Sequence, residues 1–470
     1  MIIKRALLAL LVLAGVVLLI GGAAGLYLTY DAKPRIQAVA ADALGVGVAI
    51  DGAVHIGLLP LPHLALGNVH LSSPGGEFAS AGDIDLGIAL LPLLHAQVRI
   101  DRIELKRLRL TLELDRNGKL NVRSSRPPGP LPDVVIGRIT GSRVLVQYED
   151  QRTGARFEAD DCNLQLHELR LAPGPAGDWL KNLAFAGKAA CGRVRMLAVE
   201  ASTATLSFEE SNGVLDVNPL SMQLFGGHGS GSISADLTRA QPLYQVRYVL
   251  ASFRVEDLFK AFTPRQIVSG GMDFSASLSL QGTSVEELTR SAMGEVSLRG
   301  SDLTLQVGDL DGKFDQFDAT QSFNLLDVGA FLVAGPIGIG IEKGYDYARL
   351  LHTSPGSTSV RKLVSDWRVN RGVAQDRDVA LATSRNRLAL KGRLDFVTRQ
   401  FEDVTLALLS PEGCVQVEQQ VRGPFSAPEV KPPGMLKTLT GPTRRLLGKA
   451  TSLLGHKCVS FYSGTVEAPK

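Results

Sequence analysis

Residues 106–114 read KRLRLTLEL, and Leu108, Leu110, Leu112 and Leu114 alternate strictly with Arg109, Thr111 and Glu113. On a pleated strand this spacing turns four leucines to one face and the polar residues to the other. Similar short runs, some less strictly alternating, recur at 84–90, 98–105, 144–148, 164–171, 205–208, 244–250, 274–280, 296–305, 388–396 and 404–408. The dipeptides Asn117-Gly118, Asn212-Gly213 and Asp311-Gly312 are turn signals that favour tight hairpins between such strands. The expected body is therefore mainly β and antiparallel.

An internal echo supports extension by repetition. Ile100-Asp-Arg-Ile103, followed by Arg107, Leu108, Leu110, Leu112, Arg116 and Gly118, returns 36 residues later. The second copy is Ile136-Gly-Arg-Ile139, followed by Arg143, Val144, Val146, Tyr148, Arg152 and Gly154. A weaker echo sets RNGKLNV at 116–122 against SNGVLDV at 211–217. Repeated units that contact mainly their neighbours would make an elongated sheet.

Around this body the chain carries one long apolar block. Residues 6–28 (ALLALLVLAGVVLLIGGAAGLYL) hold 23 positions without a charge, long enough for a hydrocarbon core of about 30 Å at about 1.5 Å per residue. The expected element is a transmembrane helix, with Lys4 and Arg5 placing residues 1–5 in the cytoplasm and Tyr27 and Tyr30 at the far interface. A cleaved signal peptide is the alternative, since Gly22, Ala23 and Ala24 suit a cleavage site, but the apolar run exceeds the usual length and continues past them. A second apolar stretch, VGAFLVAGPIGIGI at 328–341, is only 14 residues long and contains Pro336. It is too short to cross and is expected to pack into the body.

Few helices are expected elsewhere. Residues 34–44 (PRIQAVAADAL) read as a short helix ended by Gly45, and Ser284 with Glu287 forms a capping box opening a helix over 284–293. Residues 435–454 carry leucines at helical spacing, and Lys437, Arg444, Arg445 and Lys449 gather there while no acidic residue occurs between Glu429 and Glu467. A basic amphipathic helix of this kind either lies on an anionic membrane surface or caps the open end of a sheet.

Composition excludes several function classes. Of 470 residues, 45% are hydrophobic and 21% charged, which is too apolar for a disordered chain. Lys plus Arg (50) nearly balance Asp plus Glu (47), so no overall field invites nucleic acid. No P-loop, HExxH, GxSxG or GxGxxG occurs. His167-Glu168 lacks a second histidine at the required spacing, and the acidic pairs Asp160-Asp161 and Glu209-Glu210 read as solvated turn residues. No enzymatic activity, metal or cofactor is expected. The four cysteines, Cys162, Cys191, Cys414 and Cys458, have no CxxC spacing. In an oxidising compartment the local choice among three connectivities pairs Cys162 with Cys191 and Cys414 with Cys458; four free thiols are the alternative.

In its ordered pieces the sequence resembles the AsmA family. The likeness runs from the apolar block and the helix at 34–44 through VAIDG (48–52), GLLPLP (57–62), LGIALLPLL (86–94) and 100–122. It continues at LSMQLFGGHGSG (220–231) and QQVRGPFSAPEV (419–430). One departure is Val122, which follows Asn121 where the family has Trp. The resemblance implies an inner-membrane protein of a Gram-negative bacterium, with a periplasmic body acting in outer-membrane assembly. It also implies a taco-like curved β-groove of the bridge-like lipid transfer kind, offering an apolar trough to phospholipid acyl chains, with other envelope assembly proteins as further partners. About 25 strands at about 4.8 Å spacing would make such a trough about 120 Å long.

On this reading Leu108, Leu110, Leu112, Val144, Val146 and Tyr148 line the groove; a second sheet covering the same face, in a scaffold that binds no lipid, is the alternative. The expected division is 1–5 cytoplasmic, 6–28 transmembrane, 29–125 an N-terminal β-region, 133–315 central groove repeats, 316–430 a further β-region with the apolar insert, and 431–470 the basic segment.

Overall fold

The computed structural model describes residues 32–57, 62–89, 100–122, 133–174, 179–261, 268–306, 308–309, 311–312, 356–431 and 458–469. These residues contain 22 strands and few, short helices. They fall into two compact units, one formed by 1–224 with 229–244 and the other by 225–228 with 245–470. The expected membrane anchor at 6–28, the apolar insert at 328–341 and the basic helix with Lys437, Arg444, Arg445 and Lys449 lie outside the described residues. Among the described residues no helix is long and apolar enough to cross a membrane.

The first unit opens with helix α1 (Ala32–Leu44). Gly45, at φ +63°, ends it by donating its N–H to Ala41 O at 3.0 Å, a left-handed cap that glycine adopts without Cβ strain. Ile36 and Ala40, one turn apart, bury against the strands that follow. Strands β1 (Gly47–Ile50) and β2 (Val54–Gly57) pair in succession with β3 (His63–Ser73), which forms a hairpin with β4 (Gly76–Ile88). β4 in turn pairs with β5 (Ile100–Lys106) and touches β6 (Arg109–Leu114) at Ala79 and Ser80.

Here the strand direction departs from the expected antiparallel pattern. Both β5 and β6 run parallel to β7 (Val134–Asp150), with Arg102 opposite Arg138, Ile103 opposite Ile139, Leu110 opposite Val146 and Leu112 opposite Tyr148. The offset in this register is the 36-residue spacing of the sequence echo, so the two copies lie side by side. Alternation has the same period in parallel and antiparallel strands, which is why it left the direction open. Arg107, at φ +54°, marks the break between β5 and β6 and donates its N–H to Ser142 O at 3.0 Å.

From β7 the unit continues as an antiparallel ladder through β8 (Ala155–Leu171), β9 (Leu183–Met196), β10 (Val199–Ser211) and β11 (Val214–Leu224), with α2 (Trp179–Asn182) entering β9. Most of β12 (Gly227–Asp236) also belongs here. The expected disulfide Cys162–Cys191 joins directly opposed residues of β8 and β9.

The second unit holds most of β13 (Leu243–Arg254), then α3 (Val255–Lys260), β14 (Val268–Ser269), β15 (Gly271–Gln281), α4 (Val285–Ser291) and β16 (Met293–Leu305). Ser284 caps α4 as its spacing requires, accepting the Glu287 N–H at 3.2 Å, while Glu287 reaches back to the Thr283 N–H at 2.6 Å. An antiparallel ladder follows through β17 (Thr358–Asn370), β18 (Val373–Thr383), β19 (Arg387–Asp395), β20 (Gln400–Leu409), β21 (Val415–Pro424) and β22 (Glu429–Val430).

Residues 458–469 form a strap across one face of this ladder. The second expected disulfide, Cys414–Cys458, fixes one end. Beyond it Tyr462 and Val466 bury against Val364, Ala380, Ala382, Ala389, Ala407 and Leu409. Alanines at the crossing let a non-strand segment approach the sheet closely. Asp378 accepts from the Tyr462 hydroxyl and from Thr465 N–H and Oγ1 at 2.9 and 2.8 Å.

Three turn assignments fail. Asp311-Gly312 is not a hairpin; Asp311 is buried and accepts from Thr383 Oγ1 at 2.5 Å, Ser384 Oγ at 2.7 Å and Asn386 Nδ2 at 2.7 Å. The carboxylate instead satisfies the turn between β18 and β19, a long-range demand that adjacent residues do not reveal. Glu209-Glu210 and Asp160-Asp161 are likewise not turns, since the first pair lies within β10 and the second within β8.

Candidate functional site

The six residues first expected to line a groove come together, as the parallel register requires. Leu112 and Tyr148 bury against each other with Leu110, Leu120, Val122 and Phe157 around them. Leu108 and Val144 are buried in the larger core of the first unit, and Leu110 and Val146 are partly buried against it. Asn121 holds this region from the loop after β6: its Oδ1 accepts the Glu113 N–H at 3.0 Å and its Nδ2 donates to Thr111 O at 2.9 Å. Val122, next to it, packs against the same pair of strands.

Incompletely covered apolar faces occur on other strands. In the first unit, Leu206 and Phe208 of β10 and Leu215, Val217 and Leu220 of β11 are only half-buried. The register sets Leu206 opposite Leu220 and Phe208 opposite Val217, so these side chains form one wall. Phe208 meets Phe185 of β9 edge to face, with ring centres 5.9 Å apart. The wall contrasts with β3 and β4, where Leu64, Leu66, Ile84 and Leu86 are almost fully buried. At the end of β9 the hairpin tip exposes Met196 and Leu197 by 57% and 67%.

The second unit has a comparable wall. Phe274, Ala276, Leu278 and Leu280 alternate along β15 and are half-buried. Ala276 lies opposite Val296 and Phe274 opposite Leu298 of β16. A cavity of about 960 Å³ adjoins them, lined among others by Tyr248, Phe274, Ala276, Val296 and Trp367. Two ion pairs stand in its lining, Arg299 with Asp366 at 2.6 Å and Arg377 with Glu295 at 2.7 Å. The Tyr248 hydroxyl is buried without a hydrogen-bond partner, and burial pushes its pKa up. Such an arrangement offers apolar surface to a long hydrocarbon and an unused donor to a polar group beside it.

Glu210 is the titratable group sequence reasoning missed. It is 1% exposed and sits between Phe185 of β9 and Leu215 of β11 in the ladder. Its Oε1 accepts the Gly213 N–H at 2.8 Å, whereas Oε2 is buried with no partner. Burial pushes its pKa up from 4.5 to about 7, opposed only by the Gly213 hydrogen bond. A signal was available, because Leu206, Phe208 and Glu210 share one parity, which assigns the carboxyl to the apolar face.

Comparison with known protein families finds one match, described as the AsmA family, over residues 3–188 and 146–378. No curated protein and no solved structure matches.

Proposed function

The chain belongs to the AsmA family, and from that membership we propose that it acts in outer-membrane biogenesis, holding or transferring phospholipid acyl chains along apolar strand faces. The observation that supports this reading is the half-buried wall of Leu206, Phe208, Leu215, Val217 and Leu220, with its counterpart on β15. Side chains of this type stabilise a fold by about 25 cal/mol per Å² removed from water. A wall that the fold covers only partly retains surface that an acyl chain can cover. The proposed setting is the inner membrane of a Gram-negative bacterium, with residues 6–28 as a single span, the N-terminus in the cytoplasm and the body in the periplasm. Phospholipid is the proposed ligand, envelope assembly proteins are proposed partners, and no catalysed reaction is assigned.

A second reading is a periplasmic scaffold that affects outer-membrane protein assembly without binding lipid. The tight burial of Leu112 and Tyr148 favours it, because that face is closed by protein rather than left for a ligand. Lipid extraction from gently purified protein, followed by mass spectrometry, separates the two. Lipid binding predicts co-purified phospholipid that falls several-fold in Phe208→Asp and Leu278→Asp while circular dichroism stays unchanged. Lipid-free preparations of the folded wild type would leave the scaffold reading.

A further inference from the structure

We propose that Glu210 is a proton-operated latch on the lipid wall: neutral, it seats the closed end of the β10–β11 hairpin; ionised, it loosens that end and lowers the wall's hold on acyl chains. The inference rests on the lipid reading only in its last clause.

Geometry carries it. Glu210 and Phe208 are two residues apart on β10 with no bulge between them, so both face the apolar side. Its register neighbours are Phe185 on β9 and Leu215 on β11, and Phe185 belongs to the same buried apolar core as Leu180 and Leu183 at the entry to β9 and Leu237 just beyond β12. Leu237 donates its N–H to Gly213 O at 2.9 Å, tying the turn to the segment after β12. The carboxyl is thus buried between apolar register neighbours, with one oxygen bonded to the turn it stabilises and the other unbonded. A neutral carboxyl tolerates this setting; a carboxylate with an unmatched oxygen does not.

No neighbouring charge relieves the cost. Glu209 and Asp216 are register partners on the opposite face. Asp236 is engaged with Thr238 and Arg239, the latter at 2.6 Å. The causes of its shift are burial and the Gly213 hydrogen bond, with no contribution from Lys181 on α2 or from His167, Glu168 and Arg170 on β8. The sign follows from a folded-state value raised from 4.5 to about 7. The stabilisation is complete below about 4.5, declines as pH rises, and is gone above about 7.

Hydrogen exchange of the full chain in detergent micelles, read by mass spectrometry on peptides covering 205–217, tests the latch. After correction for intrinsic rates, wild-type protection is expected to fall at least tenfold between pH 5 and pH 8, while Glu210→Gln stays within twofold across that range. Glu210→Leu, which keeps the site apolar, serves if the glutamine variant does not fold and should be equally flat. Equal pH responses in wild type and variants, or none in the wild type, would overturn the latch.

The lipid clause is read on the same samples with added palmitoyl-oleoyl phosphatidylethanolamine. Several-fold more lipid is expected on the wild type at pH 5 than at pH 8, and equal amounts on Glu210→Gln. Lipid bound equally at both pH values with a flat exchange profile would remove the latch and keep the lipid reading. No lipid at either pH with the exchange difference present would remove the lipid reading and keep the switch in the hairpin.

Discussion

At Gly213 the backbone takes φ +81° directly after Asn212 at φ +54°, joining Ser211 to Val214 across the β10–β11 ladder. Two successive positive values are what a two-residue hairpin of this twist demands, and Asn-Gly is the pair that meets the demand at least cost. A Cβ at Gly213 would stand 2.6 Å from Thr238 Cγ2. Gly213→Ala is therefore expected to lose about 1–2 kcal/mol from the left-handed conformation alone, measured as a lower urea midpoint with an unchanged slope. Asp311 makes the opposite case, an acid held far from its sequence neighbours' business. Burial raises its pKa, but the bonds from Thr383, Asn386 and Ser384 outweigh that and hold it below the ordinary carboxylate value. Its stabilisation is thus present above the ordinary value and lost as pH falls through the depressed one. Asp311→Ala is expected to cost about 2–3 kcal/mol by leaving three donors unsatisfied. The same variant should flatten the acid limb of the unfolding profile below pH 4, checked by thermal scans across that range.

Among the elements, β6 and β7 differ from β10 and β11 in what their leucines do. Leu112 is buried against Tyr148, so Leu112→Ala is expected to cost about 2–5 kcal/mol from lost transfer and a residual cavity. Chemical denaturation checks it, with lipid content unchanged in the fraction that folds. The half-buried side chains of β10 and β11 have less packing to lose, so substitutions there should act on ligand retention first and stability second. Both sets look alike as alternating apolar residues. Coverage separates them: the parallel register sets Leu112 beside Tyr148, and Leu120 and Val122 from the loop after β6 pack against that pair. The strap at 458–469 illustrates the same point, since Tyr462 and Val466 reach their alanine-lined seat from a distant part of the chain.

For the whole molecule, the proposed inner-membrane anchor makes a direct prediction. The full chain should resist alkaline extraction from membranes, and removal of residues 1–28 should release it into the extract; a full chain that extracts freely would argue against the span at 6–28. Much of the architecture was legible beforehand. Every alternating run placed by sequence overlaps a strand, α1 and α4 begin and end near their caps, and both local disulfide pairings are present. The 36-residue echo also contained the register of β5 and β6 on β7. These features are local because period, caps and turn chemistry act over a few residues. Strand direction, the seating of Asp311, the burial of Glu210 and the division between closed and half-open apolar faces were decided only by tertiary structure. Each depends on which distant element arrives to cover a side chain, and alternation specifies that a face is apolar without specifying what meets it.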